Sequence, residues 1–158
     1  MKKTIESVDV DRRTVLRGAG ALAVSGVLAG CGGGSDNSGG DVPSEVGDYL
    51  DGANNYDGSA TDETDADSVT VMVGAGSNNF AFDPAAIRIS TGTTVTWEWT
   101  GNGGGHNVVA EDETFTSGDE YVSEEGYTYN YTFEETGNYN YYCQPHKGAG
   151  MKGAVIVE

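Results

Sequence analysis

The sequence predicts an all-β fold: a Greek-key antiparallel β-sandwich spanning residues 44–158. Three observations predict it. Short runs of β-branched and aromatic residues recur from Val69 to the C-terminus. Turn-forming residues, many drawn from the chain's 25 glycines, separate these runs at close to sandwich spacing. No helical hydrophobic period appears after Asp51.

The N-terminal segment reads as an address. Asp11-Arg12-Arg13-Thr14-Val15-Leu16 is a twin-arginine pattern, and the weakly apolar run Gly18 to Ala29 follows it. That run is shorter than the roughly 18 residues of a membrane span and reads as a signal-peptide core. Leu28-Ala29-Gly30-Cys31 resembles a lipobox. Residues 1–30 are therefore expected to be an export signal, with Cys31 the lipidated first residue of the mature chain. This predicts a protein held at the outer face of the cell membrane, although a single acyl chain binds only marginally. Residues 31–43 are Gly/Ser/Asp-rich without periodicity and read as a flexible linker.

The folded part begins after Pro43. Val46, Tyr49 and Leu50 stand at helical spacing, which predicts a two-turn helix with Ser44 as its N-cap. Asp51 to Asp67 is polar. Val69–Val73 is a β-branched strand, and Ala85–Ser90 places Ile87 and Ile89 on one face. Thr93–Thr100 alternates Val95, Trp97 and Trp99 with Thr94, Thr96 and Glu98, the pattern of a strand with one buried face. His106–Ala110, Tyr127–Phe133, Tyr139–Cys143 and Ala154–Val157 complete the set.

Charge excludes some functions. The chain has 158 residues, about one domain's worth, with 8 basic and 25 acidic side chains. From residue 31 onward three cations face 22 anions, a net charge of −19. Such a surface does not bind nucleic acid, which needs Lys and Arg for its phosphates. It repels itself in dilute buffer; at 1 M salt the Debye length falls to about 3 Å and the repulsion is screened. The composition reads as adaptation to a very saline medium. Two cysteines exclude a disulfide-stapled scaffold.

The chemistry lies in four residues. The chain has two histidines, His106 and His146, and one cysteine besides Cys31, namely Cys143. Cys143, His146 and Met151 form the pattern C-x2-H-x4-M. Taken singly, each has an ordinary structural explanation: a buried thiol, a satisfied imidazole, a core filler. Together they make a ligand set. Thiolate, imidazole and thioether suit copper, and a His2Cys plane with a long axial Met is the arrangement of blue-copper electron-transfer sites. Structural zinc takes four Cys/His ligands and catalytic zinc keeps a water position, so methionine fits neither. Cys143 is expected to end one strand and Met151 to begin the next, with His146 on the loop between. His106 is expected to pin that loop to the opposite sheet. Met72 reads as a strand residue and Glu111-Asp112-Glu113 as a solvated turn. Both histidines are used as ligands and no acid–base group accompanies them, so no enzyme is expected. The alternative is a copper-binding or delivery protein without a redox partner.

The run from Tyr139 to Val157, with Y-C-x-P-H-x-G-A-G-M-x-G, resembles the copper loop of plastocyanin and its relatives. Trp97-Glu98-Trp99-Thr100-Gly101, followed by Gly105-His106-Asn107-Val108-Val109, is similar to the halocyanins, small blue copper proteins of halophilic archaea. The resemblance implies an eight-stranded cupredoxin-like sandwich and one-electron transfer at a type 1 copper. It implies His106, Cys143, His146 and Met151 as ligands. Asn107 would hydrogen-bond across the site, and Tyr142 would offer an electron route beside Cys143. Redox proteins of a membrane electron-transport chain are the implied partners, and a monomer is expected. Pro145, Gly148, Ala149 and Gly150 surround His146 with small uncharged groups, a surface suited to docking in strong salt.

The charge imbalance makes stability salt-dependent. The melting temperature is expected to rise steadily from low to molar salt in a thermal titration. A flat profile would show that the acidic surface does not oppose folding.

Overall fold

The computed structural model describes residues 39–158. The expected signal peptide, Cys31 and most of the linker lie outside the described residues. The described elements are β1 (Gly39–Gly40), α1 (Ser44–Leu50), β2 (Ala60–Asp62), β3 (Ser68–Ala75), β4 (Ala81–Asp83) and β5 (Ala86–Ile89). They continue with β6 (Thr94–Trp99), β7 (Val109–Ala110), β8 (Thr128–Thr132), β9 (Gly137–Tyr142), a 3-10 helix (Gln144–Ala149) and β10 (Lys152–Val157).

Two sheets face each other. One has the order β1-β2-β5-β10-β9-β7 and the other β4-β3-β6-β8. The alternation read from the sequence is visible directly: Val69, Val71 and Val73 of β3, and Val95, Trp97 and Trp99 of β6, all point inward. They meet Ile87, Ile89, Tyr141, Val155 and Val157 from the other sheet, with Phe82, Phe115 and Phe133 filling between. Trp97 is fully buried at the centre, stacked on Phe115 and Tyr129 at centroid distances of 5.3 and 5.6 Å and edge-on to Tyr141 at 5.4 Å.

β10 departs from the alternating pattern. Gly153 to Val157 are all buried. Val155 and Val157 enter the inter-sheet core, whereas Ala154 and Ile156 face outward into a second apolar cluster. That cluster is closed by Val46 and Leu50 of α1, with Ala60 and Ala86. The helix thus covers the outer face of one sheet, so its central strand reads as a continuous apolar run.

Four expectations need correction. The sheets are mixed, because β3 and β6, β5 and β10, and β2 and β5 run parallel. Between β3 and β6 the chain crosses to the other sheet at β5 and returns in its original direction. Side-chain alternation reports which face is buried, not which strand lies alongside. Ser44 does not cap α1: the cap position is Pro43, whose carbonyl accepts the N–H groups of Val46 and Gly47 at 2.9 and 3.0 Å. The end of the expected linker is paired, since Gly39 and Gly40 form a short ladder with Thr61 and Ala60. Ten strands stand among the described residues rather than the eight the resemblance implies; the short β1, β2 and β4 lie in stretches whose composition carries no β signal.

The packing around Trp97 yields a direct test. Trp97→Ala is expected to cost about 3–5 kcal/mol, because no neighbour can collapse into a space bounded by two sheets. Urea unfolding at fixed molar salt measures it; a cost under about 1 kcal/mol would remove Trp97 from the centre of the core.

Candidate metal centre

The ligand loop is a closed unit. Its two ends are registered by the β9–β10 ladder, where Tyr142 faces Lys152. Inside that clasp the Cys143 N–H donates to the Met151 carbonyl at 3.0 Å, and the Met151 N–H donates to the His146 carbonyl at 3.2 Å. Pro145 opens the 3-10 helix between them, and Gly150 ends it in the left-handed region at φ 91°. The loop therefore holds its shape through its own backbone.

His106 arrives from the chain segment before β7. Its backbone exchanges two hydrogen bonds with Val122, both 2.9 Å, and the indole Nε1 of Trp99 donates to its carbonyl at 3.1 Å. The expectation that His106 bridges from the opposite sheet is not met. The β7 strand that follows it pairs with β9, the strand that leads into Cys143, while His106 itself makes only an isolated bridge to Val122. The two-residue length of β7 hid this, since pairing partners cannot be read from so short a run.

The structure brings His106, Cys143 and His146 together, with their ligating atoms within 4.8 Å of one another. The two Nδ1 atoms are 3.0 Å apart, and Cys143 Sγ lies 3.6 Å from His106 Nδ1 and 3.5 Å from His146 Nδ1. The point in their plane equidistant from all three is about 2.0 Å from each, in the range of metal–imidazole bonds and close to that of metal–thiolate bonds. Met151 is fully buried in the same hydrophobic core as Cys143, and its backbone closes the loop.

The tautomer of His106 is set by its surroundings. Its Nε2 lies 2.7 Å from the carbonyl of Asn102, which can only accept, so Nε2 carries the proton and Nδ1 presents a lone pair to the centre. Glycines make this contact reachable. Gly103 is left-handed at φ 80°, and a Cβ there would sit 2.4 Å from the Asn79 carbonyl and 3.0 Å from His106 Nε2. A Cβ on Gly74, at φ 84°, would likewise lie 2.7 Å from the Asn102 carbonyl and 3.1 Å from the same imidazole nitrogen.

Burial lowers the pKa of both imidazoles; at His106 the hydrogen bond to the Asn102 carbonyl opposes the shift and the neighbouring His146 adds to it. Both are therefore neutral ligands at neutral pH. Burial raises the Cys143 thiol, opposed by backbone N–H groups of Asn107 and His146 directed at the sulfur. The proton on Sγ must leave before the sulfur can ligate, so metal uptake releases a proton and weakens as pH falls.

Asn107, with no exposed surface, braces the corner. Its Oδ1 accepts the Gln144 N–H at 2.8 Å, and its Nδ2 donates to the Gly118 carbonyl at 3.2 Å. Tyr142 is half-buried beside Cys143, with the Lys147 ammonium 4.0 Å above its ring and paired to Glu111. Met72 stays in its strand, opposite Glu98. Two contributors escape the sequence reading. Phe80 stacks on the His146 ring at 4.4 Å and 29°; its only signal is a lone aromatic in a polar turn. Asn102 acts through a backbone carbonyl, which residue identity cannot reveal.

Asn107→Ala is expected to weaken metal binding by about 10–100-fold, because the residue after Cys143 loses its tie to the His106 segment. Competition against a chelator of known affinity measures this. An unchanged affinity would mean that the backbone bonds of the loop suffice alone.

The sequence profile of the copper binding proteins, plastocyanin/azurin family, matches residues 69–158. Halocyanin from Natronomonas pharaonis is 48% identical over 161 aligned positions, covering 95% of this chain and 99% of that protein. Plastocyanin from Scenedesmus fuscus is 38% identical over 100 positions, covering 57% of this chain and 99% of its own. Among solved structures, a mutant fern plastocyanin is 27% identical with a TM-score of 0.51, covering 57% of this chain and 100% of that chain. With an all-β cupredoxin sandwich and a buried His-Cys-His cluster for one type 1 copper, the chain belongs to the plastocyanin/azurin family of copper-binding proteins and is halocyanin-like.

Proposed function

We propose that this type 1 copper electron carrier is tethered by a lipid on Cys31 to the outer face of the cell membrane. There it passes single electrons between redox proteins of a membrane chain. It performs no chemistry on a bound substrate. The observation that carries the reading is the asymmetry of the centre: Cys143 and His106 are buried, whereas His146 lies at an edge beside the exposed Pro145, Gly148 and Ala149. One donor of the set therefore stands where a partner can approach, and the others stand where water cannot.

His106, Cys143, His146 and Met151 would hold the metal, with Met151 as the weak fourth ligand. Bound copper supplies a one-electron change between Cu(II) and Cu(I). What the chain supplies is constancy. The Asn102 carbonyl fixes the His106 ring, Phe80 backs His146, and Asn107 with the Met151 carbonyl anchors the Cys143 backbone. Donors fixed on all sides need little rearrangement when charge changes. Around His146 the uncharged surface suits partners met in strong salt, where long-range steering is screened. Tyr142 provides a second route beside Cys143, covered by Lys147.

A visible spectrum of the chain from Ser35 onward, folded with Cu(II) in strong salt, tests the reading. An intense blue band that bleaches on reduction and returns over repeated cycles is expected. A weak band of the kind simple copper salts give would overturn it, and so would loss of copper at each reduction.

A further inference from the structure

Residues 39–67 precede the region matched by the family profile, yet they reach the metal centre. The turn after α1 is seated firmly. Its Ala53 N–H donates to the Leu50 carbonyl at 2.8 Å, and Asn55 Nδ2 donates to the Phe82 carbonyl at 3.2 Å and to Asp83 Oδ1 at 3.0 Å. From this base Asn54 makes three hydrogen bonds. Its side-chain Nδ2 donates to the Phe80 carbonyl at 2.8 Å and to the Ala149 carbonyl at 2.7 Å, and its backbone N–H donates to the Gly150 carbonyl at 2.8 Å.

These three acceptors matter because of what they flank. Ala149 and Gly150 are the stretch between His146 and Met151, and Phe80 carries the ring stacked on His146. A terminal amide has two N–H donors, and here each goes to a different segment. Backbone packing reinforces the contact: a Cβ on Gly150 would lie 2.9 Å from the Gly52 carbonyl and 3.3 Å from Asn54 Nδ2.

We propose that Asn54 is a positioning residue for the copper centre, tying the Phe80 wall of His146 to the segment that carries Met151. This rests on the type 1 copper reading of the site. Without the Asn54 amide, the wall and the loop are separate pieces, and two carbonyls must find water instead. The α1 segment then acts as a strap across the ligand loop as well as a cover for the sheet.

The test compares the whole chain with Asn54→Ala, Asn54→Asp and Leu50→Ala in molar salt. Asn54→Asp keeps the volume but removes both donors, and serves if Asn54→Ala does not fold. Leu50→Ala loosens the packing of α1 without touching the loop. In metal-free protein, both Asn54 variants are expected to speed amide hydrogen exchange at Gly150 and Met151 about tenfold, with β3 and β6 unchanged. In copper-loaded protein they are expected to shift the blue band and the reduction potential. Leu50→Ala is expected to lower the melting temperature while leaving those two amides, the band and the potential as in the parent. Parent-like exchange, band and potential in the Asn54 variants would overturn the proposal. An equal shift of the band by Leu50→Ala would overturn it too, by making the effect one of general loosening. A parent chain without a blue band would count against the copper reading alone, and the exchange rates would still decide the role of Asn54.

Discussion

Three lone pairs must be aimed at one buried point, and the rest of the structure answers to that demand. His106 Nδ1, His146 Nδ1 and Cys143 Sγ stand 3.0–3.6 Å apart. Groups of this kind do not gather unaided in a low-dielectric corner, because each loses its water on arrival. The chain holds them there with backbone hydrogen bonds, which are short, directional and independent of side-chain freedom. The Cys143 to Met151 bond closes the loop, the Val122 bridge holds His106, and the Asn102 carbonyl selects its tautomer. Cys143 and His146 sit one 3-10 turn apart, so two donors are placed by local geometry and only His106 by long-range folding.

The sandwich serves this corner by being stiff. Trp97, Phe115, Phe133 and Tyr141 interlock between the sheets, and Trp99 extends from the same strand to hold the His106 carbonyl. Core and site are thus mechanically continuous along β6. The buried Cys143 belongs to that core as well as to the donor set, and Met151 packs in the same core. On the outer face of the other sheet, α1 closes a second small cluster that leaves β10 covered on both sides. The strand leading away from Met151 is therefore buried on both faces.

The surface follows a different logic. Each of the three cations among the described residues is engaged at a specific place: Arg88 with Glu158, Lys147 with Glu111 and the Tyr142 ring, Lys152 with the carbonyl and ring of Tyr49. The acidic side chains far outnumber them, so most carboxylates rely on solvent and salt. Beside His146 the exposed Pro145, Gly148 and Ala149 are small and neutral, and the neighbouring Lys147 is paired with Glu111.

Much of the site was legible because rarity is informative. A chain with two histidines and one cysteine beyond Cys31 has few ways to build a metal centre, and C-x2-H-x4-M pointed to Cys143 and His146, which the structure brings together with His106. The inward faces of β3 and β6 were legible too, since Val69, Val71, Val73 and Val95, Trp97, Trp99 obey a period of two. What stayed hidden shares one cause: it depends on which segments become neighbours. Parallel pairing of β3 with β6, the pairing of β7 with β9 that brings His106 beside Cys143, the stacking of Phe80 and the reach of Asn54 are all long-range contacts. Asn102 contributes a carbonyl that every residue possesses. The order of residues determined the chemistry available to this protein, because donor type is a local property. The tertiary structure alone decided how those donors are aimed and braced, because orientation comes from segments far apart in the chain.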